Sequence, residues 1–272
     1  LRSLVGSEMC IRDRIYESRF DVLSKAKERG WERDKQKVNA FIERNSRWLA
    51  DYALFMALKR HFGMKSWTEW EDEDIRLRKP AAMAKYRELL REDIELFTYI
   101  QYLFFEQWTK LKAYINDLGI GIIGDIPIYV AMDSADVWAE PEFFQLDEKN
   151  LPVEVSGVPP DDFSAEGQLW GNPLYRWDHH RNTGYDWWIT RISWCFRLYD
   201  VVRIDHFRGF DEYFSIPAKD KTAVNGHWEK GPGIELFQAI KARLGEKPII
   251  AEDLGYVTDT VRRMVKESGY PN

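Results

Sequence analysis

The chain has 272 residues, 44% of them hydrophobic and 31% charged, with a formal net charge of -6. That is enough chain to bury one sizeable core or two modest ones, and the balance is that of a globular protein, neither disordered nor membrane-inserted. The negative charge and the lack of a basic stripe argue against a nucleic-acid partner and point to an uncharged one. Cys10 and Cys195 are far apart and form no metal or disulfide pattern, which fits a reducing, cytoplasmic setting. Aromatic residues make up 15%, including 12 Trp. Flat rings with a polar edge stack on sugar faces, but they also dominate ordinary cores, so function has to come from motifs.

Residues 1–14 contain no long apolar run, so they read as neither a signal peptide nor a membrane span. They resemble translated adapter read-through and are expected to be a non-native leader. From Lys37 to His61 apolar residues recur at spacings of three and four, through Val38, Phe41, Ile42, Leu49, Tyr52, Ala53 and Met56, and Gly63 follows as a stop; this predicts one or two amphipathic helices. A second helical stretch runs from Pro80 through Leu90, Ile94, Phe97, Phe104, Trp108 and Leu111 to Gly119. The first 14 residues aside, 15–118 reads as a helical subdomain.

After Gly119 the period changes to short β-rich runs at 121–130, 201–207 and 248–254, each read as a buried parallel strand with a carboxylate at or near its end. A helix is predicted from Ile234 to Leu244, between the last two strands. Strand, helix and strand at this length, with acids at successive strand ends, predict an α/β fold: part of a (β/α)8 barrel over 119–272, carrying the helical subdomain as an insertion. The stretch 139–190 is expected to be a substrate-loop insertion in that barrel.

The side-chain period of a strand is two, so Arg203 and Asp205 share a face. A guanidinium there is expected to keep Asp205 ionised and nucleophilic. Glu252 lies on the next strand in a more apolar setting, where it is expected to hold its proton. One charged and one protonated carboxyl is what cleavage of a glycosidic bond with retention requires. Strand-end acids also cap helices, pair with arginines, or hold Mg²⁺ in enolase-like sites, so spacing alone leaves these alternatives open.

Seven motifs in order narrow the choice. They are Gln101-Tyr-Leu-Phe-Phe-Glu-Gln-Trp108, Gly124-Asp-Ile-Pro-Ile-Tyr-Val130, Asp133-Ser-Ala-Asp-Val-Trp138, Gly157-Val-Pro-Pro-Asp161, Gly167-Gln-Leu-Trp-Gly-Asn-Pro-Leu-Tyr175, Val202-Arg-Ile-Asp-His-Phe-Arg-Gly-Phe210 and Ile250-Ala-Glu-Asp-Leu-Gly255. Together, over residues 16–270, the chain closely resembles the amylomaltase or disproportionating-enzyme family of 4-α-glucanotransferases, glycoside hydrolase family seventy-seven. The resemblance implies transfer of α-1,4-glucan segments between maltooligosaccharides without a cofactor, with Asp205 as nucleophile and Glu252 as acid/base. It implies that Arg203 and His206 hold the nucleophile and the sugar before the cleaved bond, and that Asp125 supports the site. It further implies that 157–170 is the family's mobile acceptor-side loop, with Asp161, Phe163, Gln168 and Trp170 as sugar contacts. Here Asp162 stands where the family usually has Tyr, so one stacking face is missing.

By the same resemblance, two barrel strands precede this segment, and a third essential carboxylate lies on a strand after Asn272. The 272-residue piece is therefore expected to be inactive or unstable alone, because an incomplete barrel exposes sheet edges and apolar faces. The rival readings are a hydrolase of the α-amylase clan and a catalytically silent glucan-binding fragment.

Overall fold

A computed structural model describes residues 2–253 and 257–272, with side chains from residue 18; Leu254 and Gly255 of the last motif lie outside them. In chain order the first elements are α1 (Arg2–Arg44), α2 (Leu49–His61), α3 (Glu73–Arg76), α4 (Pro80–Leu89) and α5 (Arg91–Asp117). The chain divides into two compact units, one of Leu1–Lys65 with Arg78–Trp108, the other of Ser66–Leu77 with Thr109–Asn272.

The first unit is helical. Its core joins Val38 and Phe41 of α1, Leu49 of α2 and Tyr99 and Tyr102 of α5, with Trp31, Trp48 and Phe105 packed around them. The apolar run expected from Lys37 to His61 is two helices because buried Asn45 turns its side-chain amide back onto the Phe41 carbonyl at 2.6 Å. The same carbonyl also accepts the Asn45 backbone N–H at 3.1 Å, so the last turn of α1 is closed by both donors of one residue. The stretch after Pro80 is likewise two helices, broken at Leu90.

Within the second unit, segment 66–77 is bound to the chain after β1 (Ile123–Pro127). The Trp67 backbone N–H donates to Asp133 at 3.1 Å and its indole N–H to the Met132 carbonyl at 2.7 Å. The Trp138 indole in α6 (Ala135–Ala139) donates to the Ile75 carbonyl at 3.2 Å.

There follow β2 (Glu154–Val158), β3 (Gln168–Pro173), α7 (Trp177–Asn182), α8 (Asp186–Leu198), β4 (Val201–Asp205), β5 (Glu212–Pro217), β6 (His227–Lys230), α9 (Ile234–Leu244), β7 (Ile249–Ala251) and α10 (Asp259–Ser268). The strands form two sheets, a parallel one in the order β1-β4-β7 and an antiparallel one in the order β3-β2-β5-β6. All three expected parallel strands are present, and α9 has the bounds the periodicity predicts.

In this chain the parallel strands alternate between a buried and a more accessible face. Ile126, Val202, Ile204, Ile249 and Ala251 point into the core, at 7% exposure or less. Burial alternates along β1 and β4, leaving Asp125, Arg203 and Asp205 on a more accessible face. Helices α8 and α9 pack together, and their Trp188 and Phe237 meet Phe210 edge to face. Six of the Trp residues (67, 70, 138, 177, 187 and 188) are buried core, the ordinary fate of an indole.

The segment expected as a substrate-loop insertion contains β2 and β3, which form half of the antiparallel sheet. The partner of β2 on its other side, β5, comes after Asp205, with Gly157 opposite Phe214. Gly157 is required there, since a Cβ would sit 2.2 Å from the Gln168 carbonyl oxygen.

Candidate active site

The parallel register creates the site. Asp125 lies directly across from Arg203, Pro127 from Asp205, and Arg203 from Ile250 on the far strand. One guanidinium is thereby surrounded by three carboxylates. Arg203 Nη1 donates to both oxygens of Asp125 at 2.7 Å. Its Nη2 lies 3.4 Å from Asp205 Oδ1 and 4.0 Å from Glu252 Oε1. The proposed nucleophile and acid/base therefore flank the same nitrogen at the same end of the sheet.

Their side chains differ in exposure, that of Glu252 being 10% exposed and that of Asp205 48%. The charge state of Asp205 is governed otherwise than the sequence suggests. Partial burial, then the neighbouring Glu252 carboxyl, push its carboxyl above the ordinary carboxylate range, and Arg203 only partly opposes them. The cause is the register, which commits the guanidinium to Asp125 and leaves only a long contact for Asp205. The guanidinium also fills the space between the carboxylates, where an enolase-like cation would have to sit. Among the described residues no cluster of His, Cys, Asp and Glu is arranged to hold a metal ion.

Glu252 follows β7 and is held by backbone. Its N–H donates to the Ile204 carbonyl at 3.0 Å, and its own carbonyl accepts from Phe207 N–H at 2.9 Å. Its Oε2 accepts from His206 N–H at 2.8 Å. The His206 imidazole meets the Trp170 indole edge to face at 4.9 Å. Burial, and then the nearby Arg208 charge, lower its pKa to about 4, so the ring is neutral at pH 7. The Trp170 indole N–H donates to Gln168 at 3.1 Å, which joins both residues of β3 to the cluster.

Asp161 and Phe163 share a turn of their own. Asp161 Oδ1 accepts from the N–H groups of Phe163 and Ser164 at 2.9 and 2.7 Å, shaping its own turn. The Phe163 side chain is 99% exposed.

Two further residues support the site. Arg191 of α8 donates to the Pro127 and Ile128 carbonyls at 2.7 and 3.0 Å, fixing the end of β1 beside Asp125. Asn172 of β3 donates to the Val130 carbonyl at 3.0 Å and accepts from Ser156 at 3.3 Å, tying the antiparallel sheet to the same chain end. Only the Asn-Pro in the Gly167 to Tyr175 motif hinted at the latter.

Known proteins bear on this arrangement. The chain is 48% identical to a 4-alpha-glucanotransferase of Clostridium butyricum over 267 residues, 98% of this chain and 55% of that protein. It is 49% identical to the Thermus thermophilus 4-alpha-glucanotransferase over 245 residues, 90% of this chain and 49% of that one. The amylomaltase from Streptococcus agalactiae, solved in complex with acarbose, superposes with a TM-score of 0.91 at 46% identity, covering 94% of this chain and 52% of the other. The chain thus spans about half the length of the curated relatives it matches. No helix among the described residues is long and apolar enough to cross a membrane. The model of the family described as 4-alpha-glucanotransferase matches residues 7–272, and the chain belongs to that family, glycoside hydrolase family 77.

Proposed function

We propose that the gene product carrying this chain transfers α-1,4-glucan segments between maltooligosaccharides by a retaining double displacement. In this reading β1, β4 and β7 with their intervening helices are staves of a (β/α)8 barrel, 15–118 is its helical insertion, and 139–190 carries the substrate-facing segment. The observation that carries the proposal is the placement of Asp205 and Glu252 about one Arg203 nitrogen, at the carboxyl ends of neighbouring parallel strands.

The chemistry follows in two steps. An Asp205 oxygen attacks the anomeric carbon, the glycosidic C–O bond breaks, and the Glu252 proton goes to the departing sugar oxygen. The 4-hydroxyl of an acceptor then gives its proton to Glu252 and attacks the same carbon, releasing Asp205. The configuration is inverted twice and so retained. One glycosidic bond replaces another, so the exchange is near thermoneutral and needs no cofactor.

Arg203 and Asp125 hold the nucleophile's surroundings, while the neutral His206 ring and the Trp170 face line the sugar position. Gln168, Asp161 and Phe163 are assigned to the acceptor side. The bound acarbose of the Streptococcus agalactiae relative supports an α-glucan-like ligand here. Transfer prevails over hydrolysis when an acceptor sugar, not water, meets the intermediate.

Incubating the gene product with maltotriose tests this. Glucose together with maltooligosaccharides longer than the substrate is expected, and neither from Asp205→Asn. Glucose and maltose alone would make it a hydrolase, and no conversion would leave a glucan binder.

A further inference from the structure

In an extended strand, successive backbone N–H groups point to opposite sides. Here two consecutive ones point the same way: the N–H groups of His206 and Phe207 both donate to Glu252, one to its carboxylate and one to its carbonyl. His206 makes this possible by leaving β4 in the left-handed region, at φ 55° and ψ 45°. Residues with a Cβ disfavour that region, although Asn, Asp and His tolerate it better than most. Two neighbours accommodate the imidazole in this conformation. Trp170 meets it edge to face at 4.9 Å. Gly209 leaves it room, because a Cβ at 209 would come within 2.9 Å of His206 Cδ2.

We infer that the left-handed turn at His206 is a positioning device for the proton-transferring carboxyl, its backbone N–H fixing the Glu252 side chain against the bond to be cleaved. This rests on the reading of Glu252 as acid/base given above. His206 then has two separable parts, a ring that faces the sugar and a backbone that orients Glu252.

Four variants separate them in the full gene product. His206→Asn and His206→Gly lose the imidazole but enter the left-handed region readily, whereas His206→Ala and His206→Val lose the imidazole and resist that conformation. Each is assayed for kcat/KM with maltotriose and with α-maltosyl fluoride. In the fluoride, Asp205 forms the same bond to the anomeric carbon, but the C–F bond breaks to release fluoride ion, which needs little help from a proton. The ratio of the two values does not depend on how much of a variant is folded.

Glu252→Gln calibrates the ratio and is expected to lower it about 100-fold, the typical yield of general acid catalysis. His206→Ala and His206→Val are expected to lower it about tenfold or more, with Asn and Gly within about threefold of the parent. If all four His206 variants shift the ratio alike while Glu252→Gln lowers it strongly, the positioning role is overturned and Glu252 stands as the acid. If Glu252→Gln leaves the ratio unchanged, the underlying reading of Glu252 falls as well.

Discussion

The two faces of the β1-β4-β7 sheet use the same strands for opposite purposes. On one face Ile126, Val202, Ile204, Ile249 and Ala251 are packed out of water, and each large aliphatic side chain there contributes about 1.5–3 kcal/mol by burial. On the other, Asp125, Arg203, Asp205 and Glu252 keep like charges close together around a single cation. The pairs Arg203 makes with the half-exposed Asp125 and Asp205 add at most about 1 kcal/mol each, and in the proposed reading this face serves chemistry, held in register by the first. A period of two lets neighbouring residues in one strand serve stability and reactivity independently.

That separation can be broken experimentally. Asp205→Asn should abolish transfer by about four orders of magnitude or more in kcat while the protein stays folded, as measured by maltotriose turnover and circular dichroism. Loss of fold on that change would show that the open face is structural after all. Ile204→Ala, one residue away and facing the core, should do the reverse: about 2–5 kcal/mol of stability lost in urea unfolding, with kcat of the folded fraction largely kept.

A subtler contrast comes from pH. The folded-state pKa of Asp205 is raised, so its ionisation disfavours the fold, and stability falls as pH rises through that value. Asp205→Asn should therefore be more stable than the parent at pH 7. The advantage should shrink as pH falls, vanishing below the ordinary aspartate pKa of about 3.9 in melts taken at successive pH values. The smallest effect belongs to Phe163→Ala. That side chain is in solvent, so the melting behaviour should change by about 0.5 kcal/mol or less, and a rise in acceptor KM is the expected readout.

How much of this the sequence could show depends on how local each feature is. The strand at 201–205 and the helix at 234–244 announce themselves through apolar runs and periodicity, and their faces follow from counting. Asp205 and Arg203 are two apart in one strand, so their shared face is legible. That Arg203 would prefer Asp125 is not, because it depends on the register between strands 78 residues apart in the chain. The antiparallel sheet was hidden for the same reason: Gly157 meets Phe214 only through pairing across β4, and β6 is exposed along its length with no apolar alternation. Asp161 and Phe163 were assigned through resemblance, and their turn satisfies its own hydrogen bonds.

The most direct test of the two-carboxylate account is to trap the covalent intermediate. The gene product with Glu252→Gln, treated with α-maltosyl fluoride, should accumulate a maltosyl ester, because the acid/base needed to pass it to an acceptor is gone. Peptide mapping by mass spectrometry should place that ester on Asp205. An adduct on another residue, or rapid turnover of the fluoride with no adduct, would contradict the assignment of Asp205 as nucleophile.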